Sequence, residues 1–195
     1  MPLRRESRPR TSLSVPTGLA DAISDDRGTY AYSFDHTLVC RRISDLAVLW
    51  THQIPPQLHA RQVAVSADGG YVAVASADDA FYRVQQRNYQ IAVYDGETGA
   101  SVALLDLNGS DGMALSPDGR LIAVVAREPG KKHALVPTVY IHEVPSGARL
   151  ASIVHDAVKR GRRQFLESAS WVAFTQRGSY LITYGAATRV WRIER

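Results

Sequence analysis

The sequence predicts an all-β protein built from about four copies of one antiparallel unit, and two observations carry this prediction. A turn motif, Ser or Thr followed by Gly three or four positions later, recurs at 24–32, 66–74, 116–124 and 175–183. The segments that follow are apolar runs such as YVAVAS (71–76) and LIAVVA (121–126). A self-similarity of 42 to 59 residues is typical of repeat architectures.

The turn chemistry explains why Pro, Asp and Gly precede these apolar runs. The hydroxyls of Ser66 and Ser116 can bond the local backbone, and Pro117 presets φ for a turn. The acids Asp68 and Asp118 favour turns, and glycine supplies positions with positive φ. We therefore expect a tight turn between two strands in each copy.

The sequence predicts four strands in each unit. A short strand precedes the turn, and the apolar run forms the second strand. A third strand follows at 89–95, 138–144 and 188–194, and a fourth at 96–107 and 145–154. The second strands lack the polar alternation of a sheet with one wet face, so both of their faces must be covered. Sheets stacked face to face around an axis meet this demand, which predicts a β-propeller. An unrelated β-sandwich or barrel is the alternative fold. It is less favoured, because such a fold does not require a sequence repeat of 42 to 59 residues.

The stretch VAVSADGGYVAVASAD…YQIAVYDGETGASVALL resembles the WD-repeat β-propeller pattern, and the resemblance covers about residues 20–195. The diagnostic Trp-Asp dipeptide is replaced by Tyr94-Asp95, His142-Glu143 and Trp191-Arg192, and no Gly-His pair precedes the first strands. The buried His–Ser–Asp–Trp hydrogen-bond set of that family is therefore incomplete in every copy. The resemblance implies a non-catalytic scaffold that binds other proteins.

The predicted organisation is a basic N-terminal tail at 1–18 followed by a propeller at 19–195. The expected blades are 19–56, 57–107, 108–154 and 155–195. The last blade ends at its third strand, so residues 11–18 are expected to pair beside 188–194 as a closing strand. Small residues in the second strands favour an open arc that further sequence or another copy of the chain completes. A closed four-bladed ring is the alternative.

Composition excludes several other classes of protein. With 195 residues, 45% hydrophobic and 22% charged, the chain is typical of a globular protein. No apolar run approaches the roughly 20 residues that span a bilayer, and no secretory signal is visible. A single cysteine, Cys40, excludes an internal disulfide framework and fits a reducing compartment. We therefore expect a soluble cytoplasmic protein that does not bind membranes.

Loop lengths give the best indication of function. The loops at 78–88 and 127–137 join second to third strands, and 155–168 joins two blades, so all three emerge at the same end of a propeller. They hold nine basic residues against five acidic ones, in a chain of net charge +4. We predict that this end binds an anionic protein segment, and we list the candidate contact residues: Arg83, Arg87, Lys131, Lys132, Lys159, Arg160, Arg162, Arg163 and Phe165.

Two other interpretations of these loops stay open. A charge run is often only a solvated segment without a partner. Nucleic acid is less favoured than protein, because no aromatic stacking platform accompanies the charge. Self-association, or pairing with a further propeller chain, is the other expected type of contact.

No catalytic residue, metal ligand or cofactor site is predicted. The six histidines lack metal-binding spacing, and His142 is expected to be a hydrogen-bonding core residue. Asp25-Asp26 and Asp78-Asp79 are interpreted as turn acids, Cys40 as a small buried hydrophobe, and no phosphate-binding loop is present. A propeller enzyme of the lactonase or quinoprotein dehydrogenase kind, and a purely structural segment of a larger propeller, are the alternatives to a scaffold.

Overall fold

Strands form all the regular structure in the part of the chain that the structure describes. The computed structural model describes residues 20–26, 28–78, 89–107, 110–129, 135–154, 158–160, 163–165, 171–185 and 188–194. Blade one consists of β1 (Ala20–Ile23), β2 (Thr29–Phe34), β3 (Thr37–Arg42) and β4 (Val48–Gln53). Blade two consists of β5 (Leu58–Val65), β6 (Tyr71–Asp78), β7 (Tyr89–Asp95) and β8 (Ser101–Leu107).

The second half of the chain repeats this arrangement with one addition. Blade three consists of β9 (Ser110–Leu115), β10 (Leu121–Pro129), β11 (Leu135–Glu143) and β12 (Arg149–Val154). A small hairpin of β13 (Val158–Arg160) and β14 (Arg163–Phe165) leads to blade four, which has β15 (Trp171–Phe174), β16 (Tyr180–Tyr184) and β17 (Thr188–Arg192). Within each blade, strands consecutive in sequence pair antiparallel, so every blade is a meander.

The turn between first and second strands has the geometry that the sequence predicts. In blade two the Ser66 hydroxyl donates to the Asp68 carboxylate at 2.7 Å and accepts from the Tyr71 backbone N–H at 2.9 Å. In blade three the Ser116 hydroxyl makes the same two bonds, to Asp118 at 2.7 Å and from Leu121 at 2.9 Å. The motif that opens each apolar run therefore satisfies its own polar groups before the chain enters the core.

The second strands of blades two and three are buried on both faces, which confirms the reason for their continuous apolar sequence. In β6, Val72 and Val74 pack into a cluster with blade one, whereas Ala73, Ala75 and Ala77 pack into a cluster with blade three. Alternate residues of β10 divide in the same way between blades two and four, as Ile122 and Val124 against Ala123 and Val125. Adjacent side chains of a strand point to opposite faces, so stacked sheets need apolar residues at every position.

The first strands of the four blades lie innermost. Residues of β1, β5, β9 and β15 line one cavity of about 760 Å³, together with residues of the turns that follow these strands. Core clusters join blade one to two, two to three and three to four. Within the described residues, no such cluster joins blade four back to blade one. The fold is therefore an all-β propeller arc of four antiparallel blades, as the sequence predicts.

Two details differ from the sequence interpretation. The expected loop at 127–137 is shorter, because β10 and β11 continue their ladder through Arg127↔Pro137, Glu128↔Val136 and Pro129↔Leu135. The basic segment around residue 160 contains a strand pair, β13 with β14, and is not only a loop. Blade four has three strands in the described part of the chain. The closing strand predicted at 11–18 lies outside the described residues.

Candidate interaction face

The two ends of the propeller arc have different construction. Because strands alternate in direction, the first-to-second and third-to-fourth turns lie at one end, which we call the tight end. Turns of neighbouring blades bond to each other there: the Asp26 N–H donates to the Ala67 carbonyl at 3.0 Å, and the Ala67 N–H to the Pro117 carbonyl at 3.2 Å. These bonds join the first-to-second turns of blades one, two and three.

The opposite end, which we call the loop end, carries the second-to-third connections and the passages between blades. In blade one this connection is short, because only Asp35 and His36 separate the paired residues Phe34 and Thr37. Both residues have positive φ, 43° and 61°, which is the geometry of a type I′ hairpin. Such a turn normally takes Asn, Asp or Gly first and Gly second, so His36 at the second position is held in a strained conformation.

Contacts with the segment that connects blade one to blade two hold this turn in place. The His36 Nδ1 lies 2.9 Å from the Leu58 carbonyl, and the Ile54 N–H donates to the His36 carbonyl at 2.6 Å. The rings of His36 and His59 lie 4.6 Å apart between centroids. A cavity of about 360 Å³ lies beside them, lined by Ser33, Phe34, Asp35, His36, Ile54, His59 and Ala60. Sequence reasoning missed this cavity, since its residues come from two blades and share no spacing motif.

Most of the predicted contact residues lie outside the described residues. These are Arg83, Arg87, Lys131, Lys132 and Arg162. The structure places the backbones of Lys159 and Arg160 in β13 and of Arg163 and Phe165 in β14. Their register pairs Val158 with Phe165, Lys159 with Gln164 and Arg160 with Arg163. The hairpin therefore brings four of the predicted residues together on two adjacent strands.

The histidine at position 142 is a core residue, as predicted. It is buried, and its Nδ1 lies 3.0 Å from the carbonyl of Gly147, in the turn that follows its own strand. Asp26, also predicted as a turn acid, accepts hydrogen bonds from the Ser24 hydroxyl and from the Gly28 N–H at 2.7 Å. These bonds lower the pKa of Asp26 below its usual value, with the Ser24 bond as the larger cause. Within the described part of the chain, no three His, Cys, Asp or Glu side chains group to hold a metal ion.

The thiol of Cys40 is unreactive because the side chain is buried. Cys40 is fully buried, its Sγ donates to the Gly96 carbonyl at 3.6 Å, and burial raises the pKa of the thiol to about 11. We expect no reaction of the native protein with a thiol reagent such as DTNB at pH 8, because thiolate and access are both lacking. Rapid stoichiometric labelling in urea is the matched control. Fast labelling of the native protein would contradict the burial of Cys40.

Stacked antiparallel sheets of three or four strands around a shared cavity define the fold as a β-propeller. Neither a protein-family model nor a curated protein matches the sequence. Solved structures do match. The WD40 repeats of RRP9 superpose with a TM-score of 0.59 at 15% identity, over 90% of this chain and 48% of that chain. The structure of U3-55K superposes with a TM-score of 0.58 at 14% identity, with the same coverage of the two chains.

A third match shows that the likeness concerns the fold alone. Hydrazine synthase from Kuenenia stuttgartiensis superposes with a TM-score of 0.58 at 14% identity, over 98% of this chain and 53% of that chain. The chain thus has the propeller fold of WD40-repeat proteins and spans about half the length of the solved structures that it matches. Among the described residues, no helix is long and apolar enough to span a membrane.

Proposed function

We propose that this protein is a non-catalytic interaction module that binds an acidic protein segment through its loop end. The WD40-type propeller fold is that of a protein-interaction scaffold in general. The finer proposal of an acidic partner rests on the charge and placement of the segments at the loop end. By strand order, the connections from β6 to β7, from β10 to β11 and from blade three to blade four all begin and end at this end of the arc. Long connections confined to one face of a repeat protein commonly form its binding face.

The observation that carries the proposal is the register of the β13–β14 hairpin. It sets Arg160 directly opposite Arg163, next to Lys159. Like charges directly opposite each other on paired strands destabilise the pair. A carboxylate or phosphate between two arginines turns this repulsion into charge-assisted hydrogen bonding. The pairing therefore supports an anionic partner better than it supports a hairpin whose only role is structural.

The test uses a fluorescently labelled 20-residue polyglutamate peptide and the double variant Arg160→Ala/Arg163→Ala. We expect the full chain to bind the peptide in fluorescence anisotropy, with an affinity that falls as salt rises from 50 to 300 mM, because salt screens exposed charges. The double variant should weaken binding about tenfold or more, since two charge-assisted contacts are lost.

The matched control removes two arginines from the tight end. Arg120→Ala/Arg177→Ala changes the net charge by the same amount at exposed residues of the first-to-second turns. It should leave peptide binding within twofold of the parent protein. Equal loss in both variants would mean that net charge alone drives binding. Salt-resistant binding, or tighter binding of a single-stranded DNA 20-mer than of the peptide, would contradict the proposal.

A further inference from the structure

The last blade exposes an apolar face. We call the side of each sheet that points toward the next blade its forward face. On β15–β17, register places Trp171 beside Tyr184 and Ile182 beside Val190 on this side. Trp171 is 49% exposed, Tyr184 52% and Val190 63%. In blades one to three, the equivalent positions are buried in the junction with the following blade.

The first blade exposes the other side of its sheet. We call the side that points toward the preceding blade the rear face. In blade one it carries Ile23, Phe34 and Val48, which are about half exposed, and the half-buried ring of Tyr30, which stacks on the buried ring of Tyr32 with centroids 5.3 Å apart. In blade two, Val72 and Val74 occupy the places of the two tyrosines and pack against blade one. The two ends of the arc are therefore matched by position in the blade.

Both end faces differ in composition from the junctions inside the chain. Forward positions of the second strands hold Ala31, Ala73 and Ala123 in the first three blades, but Ile182 in the last. Rear positions change in the same direction, from Val72 and Val74 to Tyr30 and Tyr32. Contacts between separate chains are enriched in aromatic residues at their centres. Both ends of the arc thus carry larger side chains than the internal junctions do, with tyrosines on the rear face, and this favours an interface between chains.

The area is sufficient for a stable pair. Seven side chains of the two end faces are about half exposed. These are Ile23, Phe34 and Val48 on the rear face, and Trp171, Tyr180, Tyr184 and Val190 on the forward face. At about 100 Å² for each half-exposed side chain, one junction would bury roughly 700 Å². A ring of two chains has two such junctions, or roughly 1,400 Å², which is within the range of specific stable interfaces.

We propose that two copies of this chain join head to tail, forward face of blade four on rear face of blade one, and close one eight-bladed ring. One chain covers 48% of the WD40 structures that it matches, so two arcs supply about one ring. Eight blades lie at the upper end of the range of known propellers. The two-fold axis would run along the central cavity, and each junction would contain the same residues.

One position distinguishes this junction from those inside the chain. Gly69 and Gly119 lie so close to Thr29 and Tyr71 of the preceding blade that a Cβ on either glycine would overlap them. The sequence has Arg27, not glycine, at the corresponding position of the first turn motif, so the glycine contact of these internal junctions is not repeated between copies. We expect the pair to dissociate on dilution while each arc stays folded.

The test measures mass in solution by light scattering after size exclusion. At about 50 μM the full chain should have about twice the 21.4 kDa of one chain, and the mass should fall toward one chain on dilution. Tyr184→Glu on the forward face and Phe34→Glu on the rear face should each give a monomer with an unchanged circular dichroism spectrum. Leu104→Glu is the matched control, because Leu104 is equally exposed but lies on the outer strand of blade two.

Mixing the two monomeric variants tests the head-to-tail geometry. A mixed pair has one junction with both substitutions and one junction with neither, so Tyr184→Glu and Phe34→Glu together should recover a dimer. Pairing of like faces would give no recovery. The proposal is overturned if the parent chain is monomeric at 100 μM, or if its dimer survives both variants. A parent assembly of more than two chains would overturn it as well. So would a variant that dimerises only after it is mixed with an unrelated propeller chain. If either glutamate variant fails to fold, Val190→Glu and Ile23→Glu replace the pair.

Discussion

Replacing Trp50 with alanine is expected to lower the free energy of unfolding by about 4 kcal/mol, the cost typical of truncating a buried tryptophan. Trp50 is buried on β4 at the junction of blades one and two, in the same core cluster as Val72 and Val74. Its Nε1 donates to the Gly96 carbonyl at 3.0 Å, so the indole binds the third-to-fourth turn of blade two. A loss of this size is a large fraction of the about 5–15 kcal/mol that stabilises a typical domain.

The neighbours of Trp50 leave little room for the site to collapse. The indole lies 5.7 Å from the Tyr94 ring between centroids, and an added Cβ on Gly99 would come within 2.7 Å of its Cγ. Such contact means that removal of the ring leaves a cavity between the two blades. Cavities that cannot collapse add to the transfer free energy lost with the side chain.

Urea unfolding followed by circular dichroism measures this effect, with two variants as controls. Trp50→Phe keeps most of the ring and removes the N–H donor, so it should cost only about 1–2 kcal/mol. Trp171→Ala makes the same chemical change at a half-exposed site and should cost less than about 1 kcal/mol in dilute protein. If Trp50→Ala and Trp171→Ala were equally costly, packing at the junction of blades one and two would not be what stabilises the arc.

The sequence predicts those features of the fold whose causes are local. The Ser-x-Asp-Gly turn contains its own hydrogen-bond partners within five residues, so the motif is sufficient to predict it. The runs 71–76 and 121–126 predict two covered faces, because neither run shows the alternation of polar and apolar residues that a strand with one wet face has. Cys40 and His142 were predicted as core residues from their places on strands, and both are buried.

Features that depend on contacts between blades could not be predicted in this way. Trp50 bonds to Gly96, 46 residues away, and nothing in the segment LAVLWTHQ indicates that partner. The strained turn at Asp35-His36 lacks the Asn-Gly signature of its hairpin type and is held by the passage into blade two. The ladder from Arg127 to Pro129 extends into a segment whose charge and proline suggest a loop. Pairing of this segment with β11 determines its structure and overrides its local preference for a loop.

The glycines of the tight end allow a sharper test, because two of them share a backbone conformation and differ in their surroundings. Gly119 has φ 65° and Gly147 has φ 67°, so alanine at either site meets the same left-handed strain, about 1–2 kcal/mol. A Cβ at Gly147 would lie 3.5 Å from Leu105 Cδ2, which is ordinary contact. A Cβ at Gly119 would overlap the ring of Tyr71 in blade two.

We therefore expect Gly147→Ala to lower the free energy of unfolding by about 1 kcal/mol, from strain alone. Gly119→Ala should lower it by about 2–4 kcal/mol, because overpacking against Tyr71 adds about 1–3 kcal/mol to the same strain. For a chain of this length, the difference between the two variants corresponds to a melting temperature lower by roughly 2–12 °C, measurable by calorimetry.

Removing the ring of Tyr71 identifies the cause of this difference. In the Tyr71→Ser background the added Cβ has space, so Gly119→Ala should cost no more than Gly147→Ala does. The double-mutant cycle should then give a coupling energy of about 2 kcal/mol between positions 71 and 119. A coupling near zero would mean that strain in the turn accounts for the whole effect, and that the blades do not press together there. Because turn glycines against the preceding blade recur at Gly69 and Gly119, a coupling of the expected size would show that close approach between turns sets the spacing of the blades.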